Sequence, residues 1–447
     1  MSGATPPGPA DPIRKPTETK DQTLPVAPGQ AQGVTGASPG GPNPAAAAAA
    51  AGAGAAIKID PPKDADKATD GNPLFSITTE PKMPVINATA SVVGITTGAD
   101  PTPTTEFEWT ATVSFDSKNC PHGVATQKFK SYYKKGDTRT IAPITSKGKV
   151  TGGKIVVNFD KIRGGALTIS VTAKVGATTL TGETKGWRIQ GTNPSKGDVG
   201  KALPDDTHRK IACAESSMQQ FFPAPDEGNA AYPYFSGDGN LGIGICQLTD
   251  PPAEDDQVWN WRETVKAGVH LYNQKKAGAK AYPGLVAKSA KFLALEKAYN
   301  DNLKKAATPA PGAGPTGTAG PAPTPSPAVP ATPAPGASPT PAAAAPPAAV
   351  KVTVPEFNAE QLEDDTIRGF NGWGGDDGFI LSPKQLHEFR IQLDASGNLV
   401  VVGDPKTGTV SAQWERVPVA DRPGSGDPSY IDDVKNRDPN TCARIKK

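Results

Sequence analysis

The sequence has few of the residues on which several classes of protein depend. Its 447 residues include only four cysteines and four histidines, scattered along the chain. Four isolated cysteines do not make a disulfide framework, and no Cys-x-x-Cys or Cys/His spacing predicts a zinc site. No run of about eighteen apolar residues is present, so we expect no transmembrane helix.

Charge is also nearly balanced over the whole chain. The net charge is +2 with 21% charged residues, a balance that does not predict a nucleic acid or a membrane surface as partner. Residues 81–200 are different, because they hold sixteen Lys and Arg against eight Asp and Glu. This local excess favours a polyanionic partner such as an anionic wall polymer, and solubility is the alternative explanation.

Glycine and proline are abundant, with 48 of each, and they mark the segments that we expect to be unfolded. Residues 1–72 are rich in Pro, Gly, Ala and Thr and poor in aromatic residues, which predicts a disordered leader. Its first thirty residues lack the basic start and apolar stretch of a secretory signal, so we expect no export by the general secretion route.

Short β-rich segments follow over residues 73–192. The segments "INATASVVGI", "EFEWTATVSF" and "ALTISVTAKV" alternate apolar with polar residues, and turn residues separate many such runs. This pattern predicts an antiparallel β-sandwich with Trp109 and Trp187 in its core. The sandwich resembles the immunoglobulin-like modules that are attached to wall-degrading enzymes.

The next residues have helical character. Residues 193–305 place apolar side chains three and four positions apart, and residues 351–434 resume a helix that ends at a Gly-rich turn. Between them, residues 306–350 are almost purely Pro, Ala, Gly, Thr and Ser. We interpret them as a disordered insertion within one domain, since loop-closure entropy grows slowly with length. Residues 435–447 are expected to be a tail.

Four motifs occur in order along the helical part. They are "IACAESSMQQF" around Glu215, "GNLGIGICQLT" at residues 239–249, "VWNWRETVKAGVHLYNQKK" at 258–276 and "IRGFNGWGG" at 367–375. This succession resembles the catalytic domain of the lysozyme-like lytic transglycosylases. The fold class is therefore expected to be multidomain: an all-β immunoglobulin-like sandwich, then a mainly α lysozyme-like domain, with long disordered Pro/Ala-rich segments.

Glu215 is the candidate catalytic acid. Apolar neighbours such as Ile211, Met218 and Phe221 would disfavour its charged form and raise its pKa, so that it could protonate a glycosidic oxygen near neutral pH. A glutamate on a solvated helix face is the alternative. By the resemblance, Glu215 would cleave the bond between N-acetylmuramic acid and N-acetylglucosamine in peptidoglycan and form a 1,6-anhydro end, with no metal or cofactor.

The resemblance also implies a set of substrate-binding residues. A tight hairpin at the glycines would let the backbone approach a sugar ring, and the amide of the glutamine would line the cleft. One position departs from the family pattern, because Phe370 lacks the hydroxyl that the usual tyrosine offers to the catalytic glutamate. The expected substrate-binding residues are Ser216, Gly244, Gln247, Phe370, Asn371 and Trp373.

Two other functions stay open from the sequence. Asp238, Asp376 or Asp377 could supply a second carboxylate, which would make the protein a peptidoglycan hydrolase of lysozyme type. The chain could also bind the wall without cleaving it.

Two of the four cysteines lie in the motifs, Cys213 beside Glu215 and Cys246 beside Gln247. The resemblance brings Cys213 near Cys246, either as a disulfide in an oxidising compartment or as two buried thiols. We expect action in the periplasm or at the cell wall, reached by a non-classical route or an injection apparatus.

Overall fold

The computed structural model describes ten stretches of the chain. They are residues 54–68, 70–96, 99–116, 140–223, 231–234, 242–249, 251–308, 348–371, 387–422 and 427–445. All of them belong to one compact unit, Ala48–Lys447.

Ten strands form the first part of this unit. In chain order they are β1 (Ala56–Asp60), β2 (Asp66–Lys67), β3 (Pro73–Ile77), β4 (Ile86–Val93), β5 (Glu106–Asp116), β6 (Thr140–Thr151), β7 (Lys154–Val157), β8 (Gly165–Val175), β9 (Thr178–Glu183) and β10 (Arg188–Gly191). The prediction that β-structure precedes helical structure is confirmed.

The ten strands make two sheets. One has the order β1-β4-β7, and the other has the order β2-β3-β10-β8-β5-β6, with β9 also paired to β8. Strands β3 and β10 are parallel to each other, whereas β5 pairs antiparallel with both of its neighbours. Apolar residues from both sheets meet in one hydrophobic cluster, so the sheets form the two layers of a sandwich.

Alternation along the strands explains this core. In β8 the residues alternate between buried and exposed positions over nearly the whole strand, as expected for a strand with one face on a core. Trp109 and Trp187 are 8% and 5% exposed, so both tryptophans are in the core as predicted.

The sandwich begins earlier than the sequence indicated. Strand β1 pairs with β4 along its full length, and β2 pairs with β3, although both β1 and β2 lie in the predicted leader. The predicted leader boundary at residue 72 is therefore wrong. Pro- and Ala-rich surroundings dominate the local composition and hide the short alternating stretch "AIKID", whose Ile57 is buried by the rest of the sandwich.

Helices dominate the next part of the chain. They are α1 (Lys196–Ala202), α2 (Asp206–Ser216), α3 (Asp255–Trp259), α4 (Trp261–Lys288) and α5 (Ala290–Ala307), and the short strands β11 (Phe221–Pro223) and β12 (Ala231–Pro233) pair between α2 and α3. Side chains cap the two helices that matter most for the site. The Asp205 carboxylate accepts a hydrogen bond from the His208 amide at the start of α2, and Asn260 caps α4 in the same way.

The sandwich and the helices are packed against each other. The ring of Trp259, at the end of α3, meets Phe115 of β5 edge-on with centroids 5.2 Å apart. The indole of Trp261 donates a 2.7 Å hydrogen bond to the Thr79 carbonyl, and Arg163 forms a 2.8 Å ion pair with Asp256. Residues from both parts share one hydrophobic cluster, so the expected boundary at residue 192 does not separate two cores.

The chain resumes after the Pro/Ala-rich stretch in the same compact unit. Further elements are β13 (Val352–Thr353), α6 (Ala359–Phe370), β14 (Phe389–Ile391), β15 (Val401–Asp404), β16 (Thr409–Ala412), β17 (Trp414–Arg416) and α7 (Tyr430–Lys435). Helix α6 packs on α4, and α7 packs on α2. The interpretation of residues 306–350 as a disordered insertion stays a prediction, because residues 309–347 lie outside the described part of the chain.

The last residues are part of the fold. Cys442 forms a disulfide with Cys213 of α2, and the Lys196 ammonium donates a 3.0 Å hydrogen bond to the Thr441 carbonyl. The described part of the predicted tail, residues 435–445, is therefore a structural segment. Within the described stretches, no helix has the length and apolar character needed to cross a membrane.

Candidate active site

Glu215 lies in the last turn of α2. The helix ends at Ser216, and the next residue, Ser217, has a left-handed φ of 56°. Glu215 is half-buried, and Ile211, one turn earlier, is buried. Met218 and Phe221, which follow the helix, are buried as well, and the raised pKa expected of Glu215 stays a prediction.

The hydroxyl of Tyr430 donates a hydrogen bond to Glu215 Oε1. Tyr430 is the first residue of α7 and is 7% exposed, in a small cluster with Ile211, Ile431 and Val434. Burial, together with the negative charge of Glu215, raises the pKa of Tyr430 well above its ordinary value. The hydroxyl therefore keeps its proton and remains a donor that orients the carboxyl group.

This contact supplies what Phe370 lacks. Phe370 has no hydroxyl to offer to Glu215, and the Tyr430 hydroxyl makes a hydrogen bond to Glu215 instead. Phe370 lies nearby at the end of α6, where its ring packs against the cluster that contains Tyr430. Tyr430 was missed because it occurs far from the four motifs, as the first residue of a short helix with no sequence signal of its own.

The glycine-rich stretch forms the predicted hairpin. Ile243 and Leu248 make an antiparallel bridge, and Gly244 between them has a φ of +71°. A Cβ at Gly244 would lie 2.4 Å from Oε1 of Gln220, so both the backbone conformation and the available space require glycine.

Ser216 joins this hairpin to α2, the helix that carries Glu215. Its hydroxyl is buried and donates a 2.8 Å hydrogen bond to the Ile245 carbonyl. The expected contact of Ser216 with a substrate stays a prediction, whereas its contact with the hairpin fixes the distance between Glu215 and the glycine-rich turn.

Gln220 was missed by the sequence analysis and holds the same region together. Its side chain is fully buried, donates 3.0 Å hydrogen bonds to the Gln257 and Val258 carbonyls and accepts one from the Ile245 amide. One amide thus connects the end of α2, the hairpin and α3. The sequence has no signal for such a role, because Gln220 is one of two consecutive glutamines and its partners lie more than twenty positions away.

Gln247 occupies the turn of the hairpin with a left-handed φ of 46°. Its Nε2 donates a 2.8 Å hydrogen bond to the Gly244 carbonyl, and its Oε1 is buried without a hydrogen-bond partner in the described part of the chain. A buried acceptor without a donor is costly, and the N–H of an N-acetyl group is a suitable donor.

Two further groups respond to the charge of Glu215. Burial and the charge of Glu215 raise the pKa of the Cys246 thiol to about 12, and the same two causes raise the pKa of Tyr234. Both groups are therefore neutral at physiological pH, and Cys246 is not a thiolate nucleophile. Glu215 is left as the group in this cluster that is suited to acid and base chemistry.

Of the remaining predicted residues, Asn371 is described by the structure and four others are not. Asn371 follows α6 and donates a 3.2 Å hydrogen bond from Nδ2 to the Asp427 carbonyl, three residues before Tyr430. Asp238, Trp373, Asp376 and Asp377 lie outside the described residues. In those stretches that the structure describes, no group of three or more His, Cys, Asp or Glu could hold a metal ion.

The expected cysteine pairing is wrong. Cys213 is bonded to Cys442, and Cys246 is a buried free thiol. This pairing could not be predicted from the sequence, because the two cysteines are 229 positions apart and meet only when α7 and the residues after it pack on α2.

Comparison with models of protein families and with curated proteins found no match for this chain.

Proposed function

We propose that this protein is a peptidoglycan lytic transglycosylase, with a lysozyme-like catalytic part and an immunoglobulin-like sandwich before it. The observation that carries the proposal is the single glutamate at the end of a helix, oriented by the Tyr430 hydroxyl and joined to a glycine-rich hairpin through Ser216. An acid with this support, at an apolar helix end, suits proton transfer to a glycosidic oxygen.

Glu215 performs both proton transfers in the proposed reaction. As an acid it protonates the oxygen between N-acetylmuramic acid and N-acetylglucosamine, and the bond from this oxygen to C1 of the muramic sugar breaks. As a carboxylate it then takes the proton of the muramic C6 hydroxyl, whose oxygen bonds to C1. Water is not consumed, and the acid returns to its starting protonation state.

The hydrogen bond from Tyr430 supports these steps by holding one carboxyl oxygen in place. Gln247 Oε1 is the acceptor that we assign to the N–H of an N-acetyl group, because it is buried and lacks a partner in the described residues.

The first test is digestion of purified peptidoglycan, followed by mass spectrometry of the released fragments. We expect anhydro ends from the wild type, and a loss of about 10²–10⁴-fold in rate for Glu215→Gln, which cannot donate the proton. Glu183→Gln makes the same chemical change at an exposed strand end and should retain full activity.

The other outcomes separate the alternatives. Reducing ends in place of anhydro ends would contradict the proposal and favour a lysozyme-type hydrolase with a second carboxylate. Absence of any product from the wild type would favour a wall-binding protein.

A further inference from the structure

Two side chains of α2 are connected to the C-terminal part of the chain. Glu215 accepts the hydrogen bond from Tyr430, and Cys213, two residues before it, forms the disulfide with Cys442. Cys213 is 1% exposed and Cys442 is 5% exposed. The last turn of α2 is thus held both by a hydrogen bond at the acid and by a covalent bond beside it.

Residues 436–445 connect the disulfide-bonded Cys442 to α7 through hydrogen bonds and an ion pair. Arg437 donates a 3.1 Å hydrogen bond to the Cys442 carbonyl and forms a 2.8 Å ion pair with Asp433 of α7. The Ile445 amide donates a 2.7 Å hydrogen bond to the Asn436 carbonyl directly after α7. Cys442 therefore cannot move away from α2 without disturbing the helix that begins at Tyr430.

The backbone at Cys442 supports the same conclusion. Its φ of 62° lies in the left-handed region, which is unfavourable for a residue with a Cβ. Such a conformation is kept only where the surrounding contacts determine it. The disulfide and the bond to Arg437 are two of those contacts.

We propose that Cys213 and Cys442 are a positioning pair for the catalytic acid: their disulfide keeps Tyr430 on Glu215, and its reduction slows the reaction. This inference rests on the proposed transglycosylase function and adds to it a dependence on thiol oxidation. The pair closes by thiol–disulfide exchange with a small disulfide such as oxidised glutathione. Two thiols lose two protons and two electrons and form the S–S bond, and the small disulfide is reduced to two thiols.

The pH dependence of kcat distinguishes a disulfide that positions Tyr430 from one that only stabilises the fold. The hydrogen bond from Tyr430 favours the charged carboxylate, so its loss raises the pKa of the acid relative to the intact site. A general acid must be protonated, and the alkaline limb of kcat should therefore move to higher pH when the pair is reduced.

Among the described residues, the titratable groups whose charges couple to Glu215 or Tyr430 do not interfere with this readout. Tyr234 and Cys246 have raised pKa values, and Asp433 is paired with Arg437 and Arg444. The shift of the limb therefore reports on Glu215.

The experiment compares the oxidised wild type, the wild type reduced with dithiothreitol, Cys213→Ser/Cys442→Ser and Tyr430→Phe on soluble peptidoglycan fragments. For the reduced protein and the double cysteine variant we expect kcat to fall about tenfold, the loss of one hydrogen bond to a charged group, with KM changed less than about twofold. The alkaline limb should move in the same direction as in Tyr430→Phe. The cysteine substitutions made in the Tyr430→Phe background should cost less than about twofold more.

Two controls keep the result specific. Dithiothreitol should not affect the double cysteine variant, which excludes an effect through Cys120 or Cys246. If that variant does not fold, Arg437→Met replaces it, because this change keeps the disulfide and weakens its link to α7; the alkaline limb should again move upward.

Each other result overturns the inference in a recognisable way. An active wild type whose kcat and pH limb do not respond to reduction contradicts the positioning pair alone. A lower kcat with an unchanged limb, and an additional loss in the Tyr430→Phe background, would show a bond that only stabilises the fold. An inactive oxidised wild type would remove the proposed function and this inference together.

Discussion

At the scale of single residues, the site depends on three positions where the presence or absence of one side-chain atom decides whether two segments can make contact. Tyr430 offers one hydroxyl to Glu215, Ser216 offers one to Ile245, and Gly244 leaves room for the Gln220 amide. Each group is useful only because its partner belongs to another segment. Substitutions that change one atom should therefore have effects well above those of ordinary surface changes.

Gly244→Ala tests the close packing of the hairpin. We expect the free energy of unfolding to fall by about 2 kcal/mol, because the new Cβ would contact Gln220 and the left-handed backbone disfavours alanine. Denaturant unfolding measures this change. Gly278→Ala in α4 is the matched control, since its Cβ meets nothing within 4 Å and should stabilise the helix by about 0.5–1 kcal/mol. Equal effects at the two glycines would contradict the described hairpin.

At the scale of elements, α6 has an unusual buried face. Asp364, Asp365 and Arg368 of this amphipathic helix are all buried. The Asp365 carboxylate pairs with Arg368 at 2.9 Å, with His387 at 3.1 Å and with the Glu388 amide at 2.9 Å. Burial by itself would raise the pKa of Asp365, but the charge of Arg368 and the hydrogen bonds from His387 and Glu388 outweigh it and lower the pKa to about 2.

Asp365→Asn should destabilise the protein at neutral pH by about 3 kcal/mol, because it removes the charge of a buried carboxylate that forms an ion pair with the buried Arg368. The pH dependence has a definite sign. The folded-state pKa is below the ordinary value of 3.8, so the carboxylate stabilises the fold above about pH 4, and this contribution is lost as the pH falls toward 2.

Urea unfolding between pH 2 and 7 compares the wild type with Asp365→Asn. The difference between the two proteins should shrink below about pH 4. Asp301→Asn breaks an exposed ion pair with Lys297 on α5 and serves as the control, with little expected effect. A difference that stays constant down to pH 2 would contradict the assigned network.

The small strands after α6 show where element prediction fails. Strands β14 to β17 have three or four residues each, too few for a clear period of two. Their apolar residues Ile391, Val410 and Ala412 form a cluster with Tyr282 and Val286 of α4. This region therefore shares its core with the helices, which contribute the other apolar side chains of the cluster.

At the scale of the whole molecule, residues on the two sides of the Pro/Ala-rich stretch are bonded to each other. Asn300 of α5 donates a 2.8 Å hydrogen bond to the Val350 carbonyl and accepts one of 2.7 Å from the Val350 amide. The Glu296 carboxylate accepts a 2.7 Å hydrogen bond from the Val352 amide. The stretch therefore begins and ends at neighbouring points of the fold.

Replacing residues 309–347 with roughly 15 Gly and Ser residues should change the free energy of unfolding by less than about 1 kcal/mol, because loop-closure entropy varies with the logarithm of length. Thermal and denaturant unfolding measure the change. Asn300→Ala is the contrast, since it removes both bonds to Val350 and should cost about 2 kcal/mol. A large loss from the replacement, with a small one from Asn300→Ala, would contradict this description.

The sequence alone determined the features that depend on local pattern. Alternation in strands such as β8 predicted the sandwich, apolar spacing predicted α2 and α4, and the glycines around Ile243 predicted the hairpin. For these elements the physical cause lies within a few residues, so the printed sequence contains it. Glu215 was selected on its apolar neighbours together with the succession of four motifs that resembles the lytic transglycosylases.

Only the tertiary structure decided which distant side chains meet. The Tyr430 hydroxyl at Glu215, the Cys213–Cys442 bond, the Gln220 amide between α3 and the hairpin, and the shared core around Trp259 all join segments far apart in sequence. Local propensity does not specify such contacts, because they form when packed elements bring their buried faces together. For this reason the acid could be proposed from the sequence, while the groups that orient it could not.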